Sequence, residues 1–237
     1  IIGYIQNNQM NLIRTYINYS GNIFFRVLEK IPGINLTQIM HGPDDLNFIL
    51  VPKCGTRSVR DAILNYYELP LSEKWRAWSF IRYTKKVPGK SPYIIILRPP
   101  LERIYSCWKQ KVSDERSGLI FYFWQYYPVI RPGMDFGEFI AAVSVIPVHL
   151  REKHFISLEY LIKGADIEQC KFVPLSALDF NLNQWFGRII PSANVTRQKG
   201  ISDLDEKAFN QLLKQDYAFD LNLYQRSIVS NLPSQKT

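Results

Sequence analysis

Asn47-Phe-Ile-Leu-Val51 runs into Pro52-Lys-Cys-Gly-Thr-Arg-Ser58, after which Val59, Ala62, Ile63 and Tyr66 recur at i, i+3, i+4 and i+7. The first five residues are a short apolar run bounded by turn formers, the pattern of a buried strand. Pro52 to Arg57 read as a turn, and the later spacing gives a helix one apolar face. A strand that delivers the chain to a tight loop opening a helix leaves free backbone N–H groups at the helix start, where the dipole favours an anion. Gly55 permits close approach of the backbone to a phosphate, Thr56 and Ser58 offer hydroxyls, and Lys53 and Arg57 offer positive charge. The competing reading is an ordinary strand-to-helix turn with its lysine in solvent. The Walker A order G-x-x-x-x-G-K-[ST] is absent, because the lysine precedes the glycine. No Asp follows a strand in the manner of a Mg²⁺ site, so a metal-dependent kinase or GTPase is disfavoured.

The same construction occurs a second time. Tyr93-Ile-Ile-Ile-Leu97 is a continuous apolar run, as expected of a strand covered on both faces of a parallel sheet. Pro99 and Pro100 stop it, and Leu101, Ile104, Tyr105 and Trp108 mark another amphipathic helix. Arg98 falls at the strand's C-terminal end, where ligands collect in open α/β sheets. Ser106 follows eight residues on, so one unit supplies an Arg and a Ser able to grip a second phosphate. Lys171-Phe-Val-Pro-Leu175 is a third strand candidate. Leu204, Ala208 and Leu212 predict a helix near the C-terminus. Together these elements predict an α/β domain with a central parallel sheet in three layers. No linker divides residues 1–237. Residues 1–40 read as polar, Asn-rich helical or irregular structure, with 1–44 an extension packed on the domain.

Composition agrees with one sizeable core: of 237 residues 46% are hydrophobic and 21% charged, which excludes disorder and coiled coil. No apolar run approaches the ~18 residues of a membrane helix. There are 29 Lys+Arg against 21 Asp+Glu, a net charge of +8. That excess suits a polyanion (phosphate, nucleic acid, acidic glycan or anionic lipid) or serves only solubility. Cys54, Cys107 and Cys170 are too few and too scattered for a disulfide framework, which favours a reducing compartment. Cys54 and Cys107 read as small space-fillers, with thiol reactivity at Cys54 a minor option. His41, His149 and His154 have no metal-ligand spacing to the cysteines, so no metal is expected. Sequons at Asn18, Asn35 and Asn194 matter only in a secreted protein. The chain begins at Ile1 rather than Met, which leaves room for a lost upstream anchor.

Taken together, Pro52-Lys-Cys-Gly-Thr-Arg-Ser58 and Arg98-Pro-Pro-Leu-Glu-Arg-Ile-Tyr-Ser106 resemble the two nucleotide motifs of the sulfotransferases that use 3′-phosphoadenosine 5′-phosphosulfate (PAPS). The Pro-Leu-Glu-Arg version looks like the carbohydrate, Golgi-type branch. Further likenesses are Glu138-Phe-Ile, Lys153-His-Phe-Ile-Ser157, Pro191-Ser-Ala-Asn-Val-Thr196, the basic Arg197-Gln-Lys-Gly200 and the ending Asp216 to Tyr224. The resemblance spans roughly residues 45–226 and implies a P-loop-NTPase-like fold, PAPS as co-substrate and PAP as product, with no metal. By resemblance, Lys53, Cys54, Gly55, Thr56, Arg57 and Ser58 hold the 5′-phosphosulfate, with Lys53 stabilising the leaving oxygen. Arg98 and Ser106 hold the 3′-phosphate, aided by Arg197, Lys199 and Gly200.

There are departures. Pro99 stands where the family has an acid, and the stretch Ser72-Glu-Lys-Trp-Arg-Ala-Trp78, where it often places a His or Glu base, holds only Glu73. Two bases therefore remain open: Glu73 by position and His154 by chemistry. Each has a bland alternative, a solvated helix residue and a hydrogen-bonded structural histidine. Trp75, Trp78, Tyr122, Trp124 and Tyr126 stack on sugar rings or form core, and Lys109 and Lys111 meet acidic groups or solvent. The expected reaction is O-sulfation of a glycan or glycoconjugate hydroxyl, with no nucleic-acid partner. The rivals are a P-loop-type nucleotide kinase and a non-catalytic polyanion-binding module. The sparse cysteines favour the cytoplasm, a bacterial one included. The branch resemblance leaves open a Golgi-lumen domain cut from its anchor. The sequence does not set the acceptor or the oligomeric state.

Overall fold

The computed structural model describes residues 36–70, 80–88, 92–113, 127–187 and 201–230. Five strands, β1 (Thr37–His41), β2 (Asn47–Ile49), β3 (Ile81–Thr84), β4 (Ile94–Leu97) and β5 (Lys171–Pro174), form one sheet in the order β3-β1-β2-β4-β5. Seven α-helices are described: α1 (Thr56–Tyr66), α2 (Pro100–Lys111), α3 (Phe136–Ser144), α4 (Leu158–Leu161), α5 (Leu178–Phe186), α6 (Asp203–Leu212) and α7 (Ala218–Ser230). The protein is therefore an α/β domain with a mixed sheet.

The three strands expected from apolar runs are β2, β4 and β5, and they are mutually parallel. Phe48 pairs with Ile94, and Ile95 with Phe172. All four residues of β4 are buried, as a strand covered on both faces requires. The expected all-parallel sheet is corrected on the other side. β1 lies antiparallel to both β2 and β3, with Ile39 opposite Ile49 and Arg82. Thr37–His41 is thus an interior strand of the sheet, not irregular structure or part of a packed extension. Its core residues Ile39 and Met40 sit among polar neighbours, and β3 buries only Ile81 and Tyr83 while Arg82 faces solvent. Such short patterns fall below what a four- or five-residue window separates from loop.

α1 and α2 stand where the spacing predicted them. Val59, Ala62 and Ile63 are buried on α1, Ile104 and Tyr105 on α2. α6 also forms, yet on a different face. Leu204 is 77% exposed and Leu212 47%, whereas Phe209 is the buried residue. The capping box of Ser202 and Asp205 fixes the start of α6 and so its rotation. A second capping box, Asp135 with Glu138, starts α3 and gives Glu138 a structural role.

Apolar packing falls into two clusters. One surrounds the sheet, α1 and α5 (Met40, Phe48, Ile63, Ile95, Val173, Leu182). The other joins α2, α3 and α6 (Ile104, Cys107, Phe139, Ile140, Phe155, Phe209). Between them lies a buried polar clamp. Arg103 donates to the Asp220 carboxylate at 2.9 Å and to the Ile156 carbonyl. Asp220 accepts also from Ser157 Oγ at 2.6 Å and from the Leu158 backbone at 2.9 Å. Tyr217 donates to the Phe155 carbonyl, and Arg151 donates to Asp216 at 2.6 Å. The Asp216-to-Tyr224 ending noted in the sequence is thus the buried anchor of α7. Among the described residues no helix is long and apolar enough to cross a membrane.

Candidate active site

The loop between β2 and α1 is shaped by two residues at positive φ. Lys53 lies at +70° and Gly55 at +75°. For Gly55 this is cheap, and there is also no room for a side chain: a Cβ would come within 2.5 Å of Leu178 Cδ2 and 2.9 Å of Leu175 Cδ1. For Lys53 the left-handed backbone is a local strain, of the kind that collects at functional sites. Gly55 is the N-cap of α1, and no side chain caps that end among the described residues. The first N–H groups of α1 are therefore presented at the loop, as an anion site needs. Thr56 is half-buried, Arg57 exposed and Ser58 buried.

Lys53 does not extend into solvent. Its Nζ donates to Gln110 Oε1 on α2 at 2.7 Å. Burial brings its pKa down to about 8, and repulsion from Lys111, Arg98 and Arg57 adds to that against the opposing Cys107. A lysine held among three like charges is poised for an anion.

Arg98 follows β4, and Ser106 is buried one turn and a half into α2. The Arg98 side chain is 10% exposed, and its Nε lies 3.8 Å from the Glu102 carboxylate. That separation is too long for a hydrogen bond, and Arg98 Nε is a buried donor with no partner among the described residues. Cys54 ties the two loops together: its buried sulfur takes a backbone hydrogen bond from Arg98. Burial pushes the Cys54 thiol up to about 11 and that of Cys107 up to about 12, so neither is an activated nucleophile. The minor option of a reactive Cys54 is thereby corrected. Pro99, in place of an acid, gives α2 no side-chain cap, while Pro100 occupies the first turn where its missing N–H costs nothing.

His154 is the third component. Its Nδ1 lies 2.6 and 2.7 Å from the two Glu152 oxygens and 3.0 Å from Lys111 Nζ. Glu152 is buried, and its Oε2 also accepts the His154 backbone N–H at 2.7 Å. Burial lowers the His154 pKa, and Lys111 and Lys153 push it further, to about 4, against the pull of Glu152. Burial alone would raise Glu152, but its bonds and charges from His154, Lys111 and Lys153 hold it well below the usual carboxylate range. At neutral pH the pair is an imidazole beside a carboxylate.

The structure therefore places Lys53 and Gly55 in the loop after β2 and Ser58 in the helix it opens, Arg98 and Ser106 at and after the end of β4, and His154 beside Lys111 near the end of α2. Glu73, Arg197, Lys199 and Gly200 lie outside the described residues, as do Trp75, Trp78, Tyr122, Trp124, Tyr126, residues 1–35, the Pro191–Thr196 segment and the sequon asparagines Asn18, Asn35 and Asn194. His41 bonds Asn47 at 2.6 Å, away from this cluster. Three participants escaped the sequence reading in these roles: Gln110, Lys111 as a partner of His154, and Glu152. The only sequence trace of Glu152 is an acid two residues before a histidine, which is too common to notice. Comparison with known protein families, with curated proteins and with solved structures finds no match to this chain.

Proposed function

We propose that this chain is a PAPS-dependent O-sulfotransferase with a three-layer, P-loop-like architecture, acting on a hydroxyl of a glycan or glycoconjugate. The observation that carries the reading is the pairing of two strand-to-helix loops, each carrying a cationic side chain. Lys53 sits at an uncapped helix start, and Arg98 keeps a buried Nε without a hydrogen-bond partner among the described residues. Two such loops fit a ligand bearing two separate phosphate groups, which a single-phosphate site would not need.

The residues present fit PAPS in that sense. The amides opening α1, with Ser58, would hold the 5′-phosphosulfate, and Arg98 with Ser106 the 3′-phosphate. When bound, PAPS supplies a sulfuryl group, whose bond to the 5′-phosphate oxygen breaks as the acceptor oxygen bonds to sulfur. Lys53 places its ammonium where negative charge grows on a departing oxygen, the usual largest electrostatic gain in such sites. Ligand binding neutralises the like-charge repulsion around Lys53 and keeps it protonated.

Calorimetry with PAP and transfer of labelled sulfate from PAPS to a panel of glycan acceptors test the proposal. We expect stoichiometric PAP binding that Lys53→Ala and Arg98→Ala each weaken at least tenfold. Absence of PAP binding refutes it. Binding of ATP with Mg²⁺ instead points to a kinase, and steeply salt-dependent heparin binding without nucleotide stoichiometry points to a polyanion module.

A further inference from the structure

We infer that Glu152 is the positioning residue for His154, fixing its proton on Nδ1 and leaving Nε2 as the base for the acceptor hydroxyl, with Lys111 as the opposing charge that tunes it. The role as base rests on the sulfotransfer reading above, whereas the tautomer assignment stands on geometry alone.

Both Glu152 oxygens lie within 2.7 Å of Nδ1, closer than Lys111 at 3.0 Å. A lone pair on Nδ1 would face a carboxylate at that range, so the proton belongs on Nδ1, donated to Glu152. The carboxylate cannot swing away easily. It is buried, and its Oε2 also holds the His154 backbone N–H, which closes a local ring of two hydrogen bonds. A proton on Nδ1 leaves the lone pair on Nε2, and the His154 side chain keeps 18% exposure. In the transfer, the acceptor O–H proton passes to Nε2 as the acceptor oxygen bonds to sulfur, and the electron pair of the breaking S–O bond departs on the phosphate oxygen. No oxidant or metal enters this balance.

Glu152 and Lys153 flank His154 in the chain and Lys111 reaches it from α2, while Cys107 on α2 and Tyr127 face Glu152. Lys111 also repels Lys53. Burial chiefly, and then the charges of Lys111 and Lys153, keep His154 a weak base; a polyanion arriving between Lys53 and Lys111 offsets the charge part, so donor binding raises its basicity.

The test begins with long-range ¹H–¹⁵N NMR of the imidazoles, tractable because the chain has three histidines. The expected result at pH 7 is a His154 protonated on Nδ1 with an unprotonated Nε2. An Nε2–H tautomer overturns the inference. Glu152→Gln removes the carboxylate charge and should lower the His154 pKa further. Lys111→Met removes the opposing charge and should raise it. Shifts in the same direction, or none, also overturn it. In sulfate transfer, Glu152→Gln should cut kcat about 100-fold with PAP affinity within twofold, and Glu152→Asp should recover part of the loss. The acid limb of the kcat profile should move up in pH for Lys111→Met. Unchanged kcat in Glu152→Gln, in a protein whose wild type transfers sulfate, overturns the inference alone. If the wild type binds no PAP, the sulfotransfer reading fails and the NMR arm still decides the pair.

Discussion

Replacing Gly55 by alanine probes the loop on which the site depends. Two costs are separable. The backbone at φ +75° is left-handed, which costs an L-residue about 1–2 kcal/mol. The new Cβ would lie 2.5 Å from Leu178 Cδ2 and 2.9 Å from Leu175 Cδ1. Leu178 is 2% exposed and packed in the sheet cluster, so its methyl has little room to retreat. Overpacking of that kind costs about 1–3 kcal/mol. Gly55→Ala should therefore destabilise the protein by about 2–5 kcal/mol, a fall in Tm on the order of 10 °C at this chain length. Gly187 supplies the internal control. Its φ is +62°, yet a Cβ there meets nothing within 4 Å. Gly187→Ala should cost only the backbone share, about 1–2 kcal/mol. Urea unfolding of both variants, with Leu178→Ala as a background that relieves the clash, isolates the steric share. If Gly55→Ala costs no more than Gly187→Ala, the loop is not seated on Leu178 and Leu175 as described. The reasoning is also refuted if the Leu178→Ala background brings no relief.

Other expectations follow from the same geometry. Asp220→Asn strips the charge that Arg103 faces at 1% exposure, and should destabilise by about 3–5 kcal/mol in denaturant titration. A cost below about 1 kcal/mol would mean the clamp is not formed. Lys53 has its pKa brought down to about 8, so PAP affinity should fall as pH rises from 7 through 9. Lys53→Arg should flatten that fall, and an equally steep one in the arginine variant would remove Lys53 as its cause. For folding the sign is opposite. The folded lysine sheds its proton near pH 8 and the unfolded one near 10.5, so its contribution to stability rises with pH between those values, which pH-dependent urea midpoints of wild type and Lys53→Met will compare. Of the three thiols, Cys54 and Cys107 are buried, and only Cys170 should label in the native state, slowly, since burial raises its pKa to about 11. Rapid labelling of two or three thiols contradicts the packing of the loop.

The parts legible in the sequence are those whose signal is local. β2, β4, α1 and α2 announce themselves because a run of apolar residues or a 3.6 periodicity records burial on one or both faces. β1 and β3 do not, since each carries two or three buried residues among polar ones, and antiparallel pairing with one another leaves no trace in either segment. α6 shows the limit of periodicity. Leu204, Ala208 and Leu212 have the right spacing, but the capping box and the fit of Phe209 into the second cluster decide the rotation. In the site, Lys53, Gly55 and Arg98 are visible because they sit at the joints of strand and helix, and Ser106 because it lies on the helix that follows Arg98. The bond of Lys53 with Gln110 and the contact of Lys111 with His154 join residues 57 and 43 apart in sequence, which only the fold brings together, while Glu152 lies two residues from His154 in a pattern too common to notice.

The two apolar clusters explain why those joints coincide. Lys53 belongs to the loop seated on the sheet cluster, while Gln110 and Lys111 end a helix whose Ile104 and Cys107 belong to the other. Phe155 packs in the second cluster and Ile156 in the first, so His154 stands at their seam. The Lys53–Gln110 bond and the contacts of His154 with Lys111 therefore cross between two bodies of packing. What fixes their relative position is the Arg103–Asp220 clamp, which reaches from α2 to α7 and to the backbone of Ile156 and Leu158. An apolar replacement of that clamp could be as stable, since buried ion pairs seldom gain over packed hydrocarbon. What hydrocarbon would lose is direction. Each hydrogen bond of the clamp names one partner atom, and a slip of α2 against the 152–158 segment would part Lys111 from His154 before it opened either core. The polar cost of the seam is thus best understood as the condition for placing cations and an imidazole from two clusters on one ligand.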